Sequence, residues 1–328
     1  MIRLYRSGCA ACEAVEIDVI GGWDMPADTL WIDMIEPSHG EDAAVEKALG
    51  ISIPTRAEMS ELEASSRLYR ENGATYVTAD VLHRGDDDLH RDDDDLPGID
   101  PVTFVLTKGP MVTIRYFDPR PFSLFTDKLE REPSLCRTGA DMFLNLMEAI
   151  IDRASDVLSG LAAKVEGFGV HVFSEGKSVE FQHLITKLGR AHIANARIEQ
   201  SLAGLARVFS FVGVDDWFER LEEPREHLRS LSRDAASLIA HNQAVAAGIN
   251  FQLSAALGLI NIQQSSIFKM FSIFTAVLMP PTLIGAIYGM NFEHMPELRW
   301  MEGYPMALGL MVLSAVAPLI YFRRRGWI

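Results

Sequence analysis

Positive charge is scarce in this chain, and over two long stretches charge of either sign is missing. Lys and Arg number 30 against 45 Asp and Glu, a net charge of −15 over 328 residues. Nucleic-acid or anionic-lipid ligands need a surplus of Lys and Arg, so neither suits the acidic part of the chain. Cysteine is limited to three residues, too few for a disulfide scaffold. No G-x-x-x-x-G-K-[ST] phosphate loop occurs, so nucleotide hydrolysis is not indicated. The opening MIRLYRSGCAACEAVE lacks the basic-then-apolar order of a signal peptide, and nothing in it suggests export.

The missing charge is more telling. From Met270 to Met290 there is no Asp, Glu, Lys, Arg or His for 21 residues. As a helix this run is about 31 Å long, enough for a hydrocarbon core of about 30 Å. A second run of 19 residues, Tyr304–Phe322, follows and ends in Arg323-Arg324-Arg325. A pair of buried core helices is the alternative, but soluble cores seldom supply two such runs so close together. The basic residues Lys269 and Arg323–Arg325 predict cytoplasmic flanks on both spans, hence a hairpin with both termini inside. The segment 270–328 carries a net +1, so residues 1–269 carry −16, a balance that attracts cations.

The expected organisation follows. Residues 1–140 read as a cytoplasmic α/β domain, with TLWIDMI (29–35), ATYVTADVL (74–82) and VTFVLTKGPMVTIRYF (102–117) as strands. Lys108-Gly109-Pro110 splits the last into a hairpin, and EDAAVEKALG forms a helix ending at Gly50. Residues 141–269 read as a cytoplasmic helical stalk region, whose third helical stretch starts near Asp215 and has no Pro between Arg225 and Pro280. Residues 270–290 form the first span, 291–303 an external loop, 304–322 the second span and 323–328 a basic tail.

Stepping back in threes and fours from Ala286 puts Thr282, Met279, Thr275, Phe271 and Phe268 on one uncharged helix face. Asn291 would join their axis only if the helix loosens at Gly289. Several copies around an axis would turn each position into a ring, with the Asn291 amide at the mouth. Neutral amide oxygens could then accept hydrogen bonds from a cation that keeps its water, and apolar rings below would gate by size and dewetting. A simple helix cap fits Asn291 equally well, and each Thr could bond its own backbone one turn back. Pro280-Pro281 should kink or loosen the span. Glu293 and Glu297 lie just past the first span, where they would concentrate cations or simply be solvated.

The motif YGMN (288–291), with MPEL (295–298) in the loop and a basic C-terminus, resembles the CorA family of divalent-cation channels. The likeness extends to WIDMIEPS (31–38), PTRAEMSELEASSRLY (54–69) and INIQQSSIFKMFS (260–272). The resemblance implies an α+β fold: a cytoplasmic α/β funnel, long stalk helices and a two-helix transmembrane hairpin, assembled as a homopentamer in the cell inner membrane. It implies passive uptake of hydrated Mg²⁺, and also of Co²⁺ and Ni²⁺, without enzymatic activity or a resident cofactor. Gly289, Met290 and Asn291 would form the filter, Thr282 and Met279 would line the pore, and Phe271 and Phe268 would match apolar gate positions. Ser265 stands where members often carry Asn, which puts an inner ion site in doubt.

Three readings stay beside this one. A Zn²⁺ or Co²⁺ transporter of the same superfamily is a near rival, although zinc prefers nitrogen and sulfur ligands. A membrane-anchored redox protein would use Cys9 and Cys12, a C-x-x-C pair that can equally be incidental reduced thiols. The stretch GDDDLHRDDDDLPGID (85–100) lacks EF-hand order and reads either as a solvated loop or as an intracellular Mg²⁺ sensor. In the second case Asp92, Asp93, Asp94 and Asp95 would be its ligands, with Asp234 a possible partner.

Overall fold

The computed structural model describes residues 1–8, 13–15, 23–61, 63–83, 96–173, 181–214, 222–291, 293 and 295–327. These divide into two compact units, Met1–Leu253 and Ser254–Ile328.

The first unit is built on a seven-stranded mixed sheet. In chain order its strands are β1 (Ile2–Arg6), β2 (Glu13–Val15), β3 (Thr29–Ile35), β4 (Leu68–Glu71), β5 (Ala74–His83), β6 (Gly98–Leu106) and β7 (Met111–Arg115). Across the sheet they lie in the order β2-β1-β3-β7-β6-β5-β4. Only the β3–β7 pair is parallel, with Trp31 opposite Met111 and Asp33 opposite Thr113. The expected strands at 29–35 and 74–82 are present, and the 102–117 stretch breaks between Leu106 and Met111, as Lys108-Gly109-Pro110 predicts.

Strand side chains alternate between faces, and here both faces are covered. Trp31, Val77, Phe104 and Met111 point into one core, while Ile32, Tyr76, Val105 and Val112 point into the other. The second core is closed by α1 (His39–Leu49) and α2 (Arg56–Met59) through Val45 and Met59. A reciprocal cap between Ser38 and Glu41 starts α1, and Gly50 stops it in the left-handed region at φ 68°. The short helix α3 (Ala64–Arg67) leads into β4.

The first core lies under α4 (Arg120–Arg131), α5 (Gly139–Phe173), α6 (Phe181–Val212) and the beginning of α7 (Glu222–Tyr288), through Phe122, Phe143, Leu205 and Leu231. Two polar clusters tie these layers together. Arg115 and Asp33, each 1% exposed, form a two-point ion pair at 3.0 and 2.8 Å. Thr113 donates to the same carboxylate at 2.7 Å and accepts from the Trp31 indole at 2.8 Å. On the far side of the sheet Asp80 accepts from Gln200 at 2.8 Å and pairs with Arg67 at 3.0 Å, and its carbonyl accepts from Ser201 at 2.7 Å. Gly139 has no room for a side chain: a Cβ there would stand 2.7 Å from the Gly109 carbonyl oxygen.

The second unit holds the last part of α7, a short 3₁₀ turn (Pro296–Arg299) and α8 (Gly303–Arg324). Helix α7 runs unbroken through Pro280-Pro281. The proline pair removes two backbone donors, but its φ angle is compatible with a helix, and the expected loosening does not end the element.

Candidate functional site

Helices α7 and α8 both contain segments long and apolar enough to cross a membrane. They form an antiparallel pair. A Cβ added at Gly285 would lie 3.5 Å from the Met311 methyl, and at the other end Lys269 stands 5.9 Å over the Trp327 ring. Lys269 and the Arg323–Arg325 cluster therefore lie at the same end of the helix pair. Small residues such as Gly285 let membrane helices approach closely.

The face expected to line a pore forms as a face. Phe268, Phe271, Thr275 and Met279 line one shallow groove of about 410 Å³, together with Ser272, Ala276 and Pro280. The two phenylalanines and Met279 are 60–62% exposed within the single chain, a large apolar surface for one copy to leave uncovered. Thr282, Ala286 and Ser265 are likewise exposed on α7. The Thr282 hydroxyl donates to the Met279 carbonyl at 2.8 Å, the local bond open to any threonine in a membrane helix. Its proton is thus committed, and only its lone pairs are offered outward.

The helix ends at Tyr288. Gly289 still donates to the Gly285 carbonyl at 2.9 Å and Met290 to Ile287 at 3.3 Å, after which Asn291 leaves the helix with its side chain exposed. Loosening at Gly289 was the condition for Asn291 to reach the axis of that face, and the helix stops one residue before Gly289. Beyond it Glu293 is exposed and Glu297 half-buried in the 3₁₀ turn.

The proposed sensor residues fare unevenly. Asp92, Asp93, Asp94 and Asp95 lie outside the described residues, as do Cys9 and Cys12. Asp234 is exposed on α7, where its charge reaches Asp152 of α5. Burial, together with the like charges of Glu148, Asp156 and Asp234, pushes the Asp152 carboxyl above its ordinary range against the pull of Lys128. Glu148, Asp152 and Asp156 share one face of α5 by four-residue spacing, a signal present in the sequence, whereas Asp234 joins them only through the packing of α7 beside α5. Among the described residues no group of three or more His, Cys, Asp or Glu is arranged to hold a metal ion. Cys136 is buried, and burial pushes its thiol up to about 12, which makes it inert.

Residues 26–324 match the family described as CorA-like Mg2+ transporter protein. The chain belongs to that family. It is 32% identical over 304 residues to the magnesium transport protein CorA of Yersinia pseudotuberculosis, covering 92% of this chain and 93% of that one. To the magnesium transport protein CorA of Pectobacterium atrosepticum it is 31% identical over 318 residues, 97% of each chain. Its fold matches the complete structure of the CorA magnesium transporter from Methanocaldococcus jannaschii with a TM-score of 0.77 at 19% identity, over 100% of this chain and 99% of that one. The expected α+β architecture of mixed sheet, long helix and C-terminal apolar helix is the CorA architecture. CorA-like chains are membrane transporters, not enzymes.

Proposed function

We propose that this chain assembles as a homo-oligomer, a pentamer by family resemblance, that conducts Mg²⁺ into the cell down its electrochemical gradient, and carries Co²⁺ and Ni²⁺ as well. Gly289, Met290 and Asn291 form the filter, and Thr282, Met279, Ala286, Thr275, Phe271 and Phe268 line the path, with Ser265 at its inner end. The observation that carries this reading is the uncharged groove of Phe268, Phe271, Thr275 and Met279, uncovered in one copy and leading along α7 toward Asn291.

The chemistry follows from that geometry. Mg²⁺ sheds water reluctantly. The waters of a hydrated ion donate hydrogen bonds, so the ring needs acceptors, which the Asn291 amide oxygen and the lone pairs of Thr282 supply. Glu293 and Glu297 raise cation concentration at the mouth. A divalent ion gains about 4.6 kcal/mol on entering at an inside-negative potential of about 100 mV, so no nucleotide hydrolysis is required. Amide and hydroxyl oxygens favour Mg²⁺ over Zn²⁺ as substrate. Both termini are cytoplasmic in this reading, and intracellular Mg²⁺ closes the path through Asp92–Asp95, with Asp234 as a partner.

Uptake into proteoliposomes tests the assignment. Asn291→Ala should abolish selective Mg²⁺ entry while Cys9→Ser leaves it intact. Loss only in the cysteine variant would instead make the hairpin an anchor for a redox protein.

A further inference from the structure

The end of the helix pair that carries Lys269 is built in a specific way. Helix α8 closes on Gly326, whose φ of 70° is the left-handed conformation that glycine adopts freely. The Gly326 amide donates to the Arg323 carbonyl at 3.2 Å and the Trp327 amide to the Phe322 carbonyl at 3.0 Å, the paired bonds of a Schellman cap. Such caps often place their last residue against the final turn of the helix. Here the Trp327 ring stacks on Phe322 at 5.2 Å. Lys269 of α7 stands over the same indole at 5.9 Å, and Arg325 over Tyr321 at 5.6 Å. The run Arg-Arg-Arg-Gly-Trp therefore folds back on itself, and Lys269, Arg323, Arg324 and Arg325 are all exposed around aromatic rings.

The sequence places no acid near these cations. Between Asp234 and Glu293, Lys269 is the only Asp, Glu, Lys or Arg. The acids of residues 254–328 are Glu293, Glu297 and Glu302, all at the opposite end of the pair and about 30 Å away along α8. The carbonyls that end α8 contribute about half a negative charge, and an α-carboxylate at Ile328 would add one more. Neither removes the excess.

We propose that this end binds the headgroup of an anionic phospholipid, with its phosphate on Lys269 and Arg323–Arg325 and its acyl chains against Tyr321, Phe322 and Trp327. Tyr and Trp settle at the headgroup level of a bilayer, which sets the depth of the cluster. Planar guanidinium forks match phosphate oxygens, and the lysine ammonium adds a point charge. Contact with a ring face leaves the charge of Lys269 and Arg325 in place. A soluble phosphate would gain the charge contacts alone, whereas a lipid gains the aromatic surface as well. The inference rests on the hairpin crossing a bilayer and not on which ion the protein carries.

Electron paramagnetic resonance of spin-labelled lipids tests this on the full-length protein in phosphatidylcholine vesicles. Spin-labelled phosphatidylglycerol should associate at least about threefold more strongly than spin-labelled phosphatidylcholine, where one charge contact at a bilayer surface is worth about fivefold. Added salt should erode that preference. Arg323→Gln with Arg324→Gln, and separately Lys269→Gln, should each remove half of it or more. Both variants keep basic residues at this end, so the signal that orients the hairpin survives. Arg299→Gln takes a cation from the opposite end and should leave the preference unchanged. Inorganic phosphate should not compete, because it brings no acyl chain; competition would give the cluster to a soluble anion and overturn the lipid. A wild-type preference below about threefold would reduce the four cations to an orientation signal and overturn the site. So would wild-type preference in either variant, or an equal loss with Arg299→Gln. None of these readouts depends on ion uptake, so failure of the lipid site leaves the transport reading standing, and failure of transport leaves the lipid site testable.

Discussion

Arg115→Met is the sharpest test of how the cytoplasmic unit is held together. In the intact chain the Asp33 carboxylate accepts two bonds from Arg115 and one from Thr113, in a site where both ionic partners are 1% exposed. Methionine fills much of the volume but leaves Asp33 with a single neutral donor. Breaking a buried ion pair from one side costs about 3–5 kcal/mol, because the remaining charge stays out of water without a counter-ion. Other losses are smaller. The 2.6 Å bond to Asp118 reaches a side chain 67% exposed, and such pairs contribute about 0–1 kcal/mol. The guanidinium also lies 4.6 Å from the Phe122 ring centre, a contact that a methionine sulfur partly replaces. A total near 4 kcal/mol corresponds to roughly 8–16 °C in melting temperature for a unit of this size. Scanning fluorimetry of the full-length protein should show that drop in the transition of the cytoplasmic unit. The double variant Asp33→Asn, Arg115→Met removes both charges and should recover at least half of it. A single variant melting within about 3 °C of wild type would refute the reasoning, since such a shift is only about 1 kcal/mol. So would a double variant as unstable as the single.

Two further substitutions probe other parts of the chain. Asp152 has a carboxyl pKa raised above the ordinary 3.8 by burial and by its acidic neighbours, so the folded state disfavours its charge. That penalty is absent below the unfolded value and grows as pH rises through the folded one; Asp152→Asn should therefore raise the melting temperature at pH 7, with the gain shrinking toward pH 4. Gly285→Leu should separate the two spans, because even a Cβ there already touches Met311. Uptake should fall several-fold, with the cytoplasmic melting transition unchanged.

Much of the fold was legible because its signals are local. TLWIDMI and ATYVTADVL carry β-branched and aromatic residues in short runs bounded by turn chemistry, and they appear as β3 and β5. Gly50 ends α1 in the left-handed region that few other residues suit, and Lys108-Gly109-Pro110 interrupts the strand pattern where the β6–β7 hairpin turns. The candidate pore face was legible for a similar reason: helical spacing alone brings Phe268, Phe271, Thr275 and Met279 together. Local reading was less exact where two outcomes were close in energy. Thr282 takes a backbone bond, and Pro280-Pro281 sits inside a helix that runs on to Tyr288.

By itself the sequence determined where the chain is apolar enough to enter a bilayer, where strands and helices begin, and that a polar amide follows the first span. Each of these depends on residues within a turn or two of one another. Only the tertiary structure decided that Asp33 meets Arg115 across 82 positions and that Ser201 and Gln200 close on Asp80. Those meetings depend on strand order and on how the helices lie over the sheet. Both emerge from the sum of many weak contacts, which no short stretch of sequence contains.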